Sequence, residues 1–105
     1  MYKPTTIALI DQMNDCSFAV EIYDASQIEL AKELMHAGLS AWYEAAHENI
    51  EDDEYFTAEE KSAMYNDGYA EPALELLERY GIEHKLIELD YDNNGTPLVD
   101  EAFAY

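Results

Sequence analysis

Basic residues are nearly missing from this sequence. Five Lys and Arg stand against 24 Asp and Glu, giving a formal net charge of -19 at pH 7. Such a chain would be repelled by a phosphate backbone, which excludes direct binding of DNA or RNA. An anionic membrane surface is excluded on the same ground. Cysteine is scarce too. Cys16 stands alone, so neither an intramolecular disulfide nor a cysteine-rich metal site can form, and a cytoplasmic setting is expected. Long apolar runs are missing: the stretch from Ile7 to Ile10 is cut by Asp11, too short for a signal peptide or a membrane-spanning helix. There is no internal repeat, low-complexity tract or linker. There is also no Gly-rich phosphate loop and no G-x-S-x-G, so nothing selects an enzyme.

What is present describes a folded domain. Hydrophobic residues make up 49% of the chain and aromatics 12%, which rules out the low-hydrophobicity class of disordered chains. A length of 105 residues fits one acidic domain, 1–105, with a core of its own. Self-repulsion opposes compaction, so the core must outweigh it. The charge favours basic proteins, cations or a high-salt solvent as partners.

Thr5 to Ile10 reads as a short strand. Ser17 to Tyr23 alternates, with Phe18, Val20 and Ile22 on one side, and reads as a second strand able to pair with the first as a hairpin. Ser26 and Glu29 have capping-box spacing and open a long helix from Gln27 to Glu48. Ala31, Gly38 and Ala45 recur every seventh residue at the middle of its apolar face. Gly38 costs about 1 kcal/mol of helix propensity, a cost that close packing against another element would explain.

The four consecutive acids Glu51 to Glu54 would repel one another in a helix and read as a loop, with Tyr55 and Phe56 anchoring its end. Thr57 and Glu60 form a second capping box, opening a short helix that Gly68 ends. Pro72 opens a third helix and Gly81 stops it. Glu83 to Tyr91 is a strand, and Asn93-Asn94-Gly95 turns the chain so that Thr96 to Tyr105 returns as a last one. The order β-β-α-α-α-β-β predicts an α+β fold: an antiparallel sheet of about four strands with helices on one face.

The centre of the charge is Glu44 to Lys61, eight carboxylates before its first Lys or Arg. Glu44, Glu48, Glu51, Asp52, Asp53 and Glu54 are the leading candidates for a partner-binding surface, supported by Glu29, Glu33, Glu59 and Glu60. Pairs such as Glu29 with Glu33 and Glu44 with Glu48 sit at i,i+4, about 5–6 Å apart, where like charges destabilise a helix. Glu71, Glu75 and Glu78 repeat the arrangement on another helix. Rows of carboxylates on rigid elements imitate a row of phosphates, and a cleft evolved for nucleic acid would accept them.

In size and charge the chain resembles, as a class, the DNA-mimic inhibitors: anti-restriction proteins, anti-CRISPR proteins and similar phage products. That resemblance implies a basic partner, a nucleic-acid-processing nuclease, with no cofactor and no catalysis. A generic acidic adaptor and a domain adapted to high salt are the bland alternatives.

Two motifs point to metal instead. Asp90, Asp92, Asn94 and Glu101, with Gly95 between them, fit the spacing of a calcium loop and resemble an EF-hand loop. This alternative implies a calcium-binding accessory protein. Its flanks depart from the family: a strand leads in, Pro97 follows the glycine, and four residues follow Glu101. An Asp- and Asn-rich hairpin turn accounts for the same residues. Glu33 with His36, and Glu44 with His47, are E-x-x-H elements of the kind that resemble those of di-iron bundles. They lie eleven residues apart on one helix, about 16 Å, too far to share a dinuclear site.

Overall fold

The first apolar run becomes a central strand of the sheet. In the computed structural model, which describes residues 3–105, β1 (Thr5–Ile10) pairs antiparallel with β2 (Phe18–Ile22). Ile7 lies opposite Val20 and Leu9 opposite Phe18, so both strands turn large apolar side chains to the same face. These four residues are buried in the core.

The last two strands do not form the expected hairpin. β3 (His84–Ile87) joins β2 antiparallel, whereas β4 (Glu101–Ala104) joins the far side of β1 in parallel. The strand order is β3-β2-β1-β4, so the sheet is mixed, which corrects the antiparallel expectation. The Asn93-Asn94-Gly95 turn does form. Gly95 N donates to Asp92 O at 3.1 Å, and Tyr91 bridges Pro97. It lies within the connection between the two sheet edges instead of joining paired strands. Pairing beside β1 puts Phe103 opposite Leu9 and against the core. Burial, not the local turn, decides the topology.

A 3-10 turn over Ala25–Gln27 leads into α1 (Ile28–Ala46). The expected box of Ser26 and Glu29 is replaced by Asp24, whose Oδ1 accepts from Ser26 N at 2.9 Å and Ser26 Oγ at 2.6 Å. Ala31, Leu34, Met35, Gly38, Leu39 and Ala41 form the buried stripe of α1. The short α2 (Ala58–Lys61) carries the expected capping box of Thr57 and Glu60, and α3 (Glu71–Arg79) carries Pro72 in its first turn.

α3 crosses α1 at Gly38. A Cβ there would lie 2.4 Å from both Cα and N of Ala73, so only glycine permits this approach. The smallest extent of the molecule is 18 Å, the depth of one sheet and one helical layer.

Candidate protein-binding surface

α1 and α3 end in the same way. In α3, Gly81 N donates to Glu78 O at 3.0 Å and Ile82 N to Leu77 O at 2.9 Å. In α1, Glu48 N donates to Ala45 O at 3.1 Å and Asn49 N to Glu44 O at 2.8 Å. Both are Schellman caps, which place one residue in the left-handed region. In α3 that residue is Gly81, at φ 71°; in α1 it is Glu48, at φ 60°. The last turn of α1 contains no basic residue. Glu48 therefore stands in a backbone conformation that glycine adopts more easily, at the negative end of a helix dipole.

The acid run that follows is held by Lys61. This side chain is 2% exposed, and its Nζ lies 2.5 Å from Glu44 Oε2 and 2.6 Å from Asp53 Oδ2. Asp53 Oδ1 also accepts from Tyr55 N at 2.8 Å and Phe56 N at 2.7 Å, which fixes the turn that buries Phe56. Asp52 Oδ1 accepts from Ala58 N at 2.6 Å. Burial opposes the Asp53 charge, but the Lys61 ammonium and the two amides outweigh it and hold the carboxyl below its ordinary value. Burial also opposes the Lys61 charge, yet its hydrogen bonds to Asp53 and Glu44 raise it above the ordinary lysine value.

Arg79 does for α2 what Lys61 does for the loop. It pairs with Glu60, whose other oxygen caps Thr57 N at 2.9 Å, and with Glu75 at 3.0 Å. The Thr57 amide and then Arg79 hold the Glu60 carboxyl below its ordinary value. Glu60 belongs to the first acidic group and Glu75 to the second, so Arg79 joins the two. The second group lines a cleft of about 510 Å³ with Asp67, Glu71, Glu75 and Glu78 around Met64 and Leu74.

Six of the ten candidate carboxylates thus have partners within the chain. Glu44, Asp52, Asp53 and Glu60 are used as above. Glu33 accepts from the Tyr55 hydroxyl at 3.0 Å, and Glu29 lies 3.5 Å from Lys32. Burial, with Glu33 as a second cause, pushes the Tyr55 phenol up to about 12. Glu48, Glu51, Glu54 and Glu59 are exposed, and their carboxylates have no hydrogen-bond or ion-pair partner among the described residues. Sequence reasoning missed the division. Lys61 looked like the end of an acid run, and only tertiary contact reveals it as its anchor.

Several side chains of the metal motifs have partners within the chain. Glu101 lies on β4, where its Oε1 accepts from Lys32 at 2.6 Å, and Asp92 Oδ1 accepts from Asn94 N at 2.8 Å and Thr96 N at 2.9 Å. His36 stacks on Tyr105 and His47 on Tyr43, while Glu33 and Glu44 are engaged as described. Among the described residues, no three His, Cys, Asp or Glu side chains gather as a metal-holding group. Cys16 is buried and free, its Sγ 3.5 Å from Asn14 O.

The fold defines an acidic α+β domain with a four-stranded mixed sheet. No family model matches the chain, and no curated protein or solved structure is detectably similar to it. Among the described residues no helix is long and apolar enough to cross a membrane.

Proposed function

We propose that this protein binds a nucleic-acid-processing nuclease and blocks it by placing carboxylates where the nuclease expects phosphates. The observation that supports the reading most is the anchoring of the acid run. Lys61 and Arg79, two of only five basic residues, are spent holding acidic segments in fixed positions. Their own partners become scaffold. Glu48, Glu51, Glu54 and Glu59 remain as outward charges on that scaffold, and Arg79, paired with Glu60 and Glu75, ties the scaffold to the second row at Glu71, Glu75 and Glu78.

A fixed array loses little conformational entropy when a partner's Lys and Arg close on it. Association would be steered by charge, fast at low salt and slow at high salt. The inhibitor itself performs no chemistry in this reading; it competes for a basic cleft.

The test replaces Glu48, Glu51, Glu54 and Glu59 with Gln together and measures protection of duplex DNA against restriction and CRISPR effector nucleases. Wild-type protection that falls by tenfold or more in the variant supports the reading. Wild-type protection that survives the four substitutions removes this patch from it.

A further inference from the structure

One buried carboxylate, Asp11, is 4% exposed and has no ion-pair partner among the described residues. Its donors are all neutral. Oδ1 accepts from Met13 N at 3.0 Å and Asn14 N at 3.4 Å, and Oδ2 accepts from the Tyr43 hydroxyl. A carboxylate has about four acceptor sites, so one is left open. Burial, with the Asp11 hydrogen bond as a second cause, raises the Tyr43 phenol and keeps it protonated as a donor. The contrast is with the Lys61 site, where the buried charge is met by two carboxylates.

Asp11 lies at the wall of a cleft of about 370 Å³, whose lining includes Ile10, Met13, Tyr43, His47 and Tyr105. The rings there form a row. Tyr43 and Tyr105 have centroids 5.6 Å apart, Tyr105 stacks on His36 at 4.8 Å, and Tyr43 stacks on His47 at 6.3 Å. Met13 stands at the rim, 87% exposed, with an adaptable thioether. No Lys or Arg lines the cleft.

We propose that this cleft is a socket for one arginine side chain of the basic partner. The inference rests on the reading of that partner given above and names one contact it would make. A planar guanidinium stacks on tyrosine faces while donating in the ring plane to a carboxylate. The chain already packs a guanidinium in this way: Arg79 lies 5.3 Å from the Phe56 ring centroid while it pairs with Glu60 and Glu75. A hard metal ion is a poor occupant, because it needs several oxygen ligands and the lining side chains include one carboxylate, Asp11. A cation entering here would meet the Asp11 charge across little water, where attraction is strongest.

The probes are blocked tripeptides Gly-Arg-Gly, Gly-citrulline-Gly and Gly-Lys-Gly, titrated into the whole protein while the Met13 methyl resonance is followed. The arginine peptide should shift it saturably, and the citrulline peptide, which keeps the shape and loses the charge, should bind at least about tenfold more weakly. Asp11→Asn disturbs the loop that Asp11 caps, so Tyr105→Ala is the primary variant. It should abolish saturation while melting cooperatively. Equal binding of citrulline or lysine, an unsaturable response to arginine, or a Tyr105→Ala variant that binds unchanged would each overturn the proposal. The Gln variant at Glu48, Glu51, Glu54 and Glu59 should still bind the arginine peptide. Loss of nuclease inhibition with the socket intact would therefore be distinguishable from failure of the socket itself.

Discussion

Glu48 and Gly38 show opposite residue-scale conflicts. Glu48 holds a left-handed position at the negative end of α1, where glycine would be easier. Glu48→Gly is expected to stabilise the protein by about 1 kcal/mol, read as a higher urea midpoint, while weakening partner binding. A glutamate that costs stability locally is the kind of local conflict found at functional sites. Gly38 is the reverse case. Alanine would gain about 1 kcal/mol of helix propensity but overlap the Ala73 backbone. Gly38→Ala is therefore expected to destabilise by about 1–3 kcal/mol in the same measurement. The role of Gly38 was legible, because small residues at a seven-residue spacing announce close packing. The strain at Glu48 was not, because a left-handed cap leaves no mark on composition.

The decisive element is the acidic loop with the lysine that holds it. Lys61→Met leaves Glu44 and Asp53 facing an apolar side chain. Both carboxylates are about a third exposed and can rehydrate. The expected loss is therefore about 2 kcal/mol, below the ~3–5 kcal/mol of fully buried pairs. The pH dependence has a definite sign. Asp53 and Glu60 have depressed folded values, so the stability they supply is complete above about pH 4.5 and lost as pH falls through those values. Lys61 has a raised value, so its share is complete below about pH 10 and lost as pH rises through the folded value. Glu60 is held by the Thr57 amide and Arg79 and titrates alike in both proteins, so the melting difference between wild type and Lys61→Met follows Asp53 and Lys61. It should be flat between about pH 4 and about pH 10 and shrink outside that window. Elements of this size were readable where pattern and burial agree, as in β1, β2, α1 and the Thr57–Glu60 cap. The pairing of β4 was not, because an Asn-Gly turn marks a reversal but not which edge the chain then joins.

For the whole molecule, the net charge of -19 dominates. Screening relieves self-repulsion, so raising salt from about 0.05 to 0.5 M should raise the melting temperature of the free protein and weaken its complex. A generic halophilic domain shares the first response but not the second. The α+β class and the concentration of acid were open to sequence reading because both are carried by runs of residues. The division into structural and outward carboxylates was hidden, because it depends on two cations, Lys61 and Arg79, that reach across the fold. The most direct test is displacement: a nuclease holding a fluorescent duplex is titrated with this protein, and release is followed by anisotropy. Full release is expected, competitive with added duplex and lost in the variant lacking Glu48, Glu51, Glu54 and Glu59. Binding to the nuclease that leaves the duplex in place would contradict it.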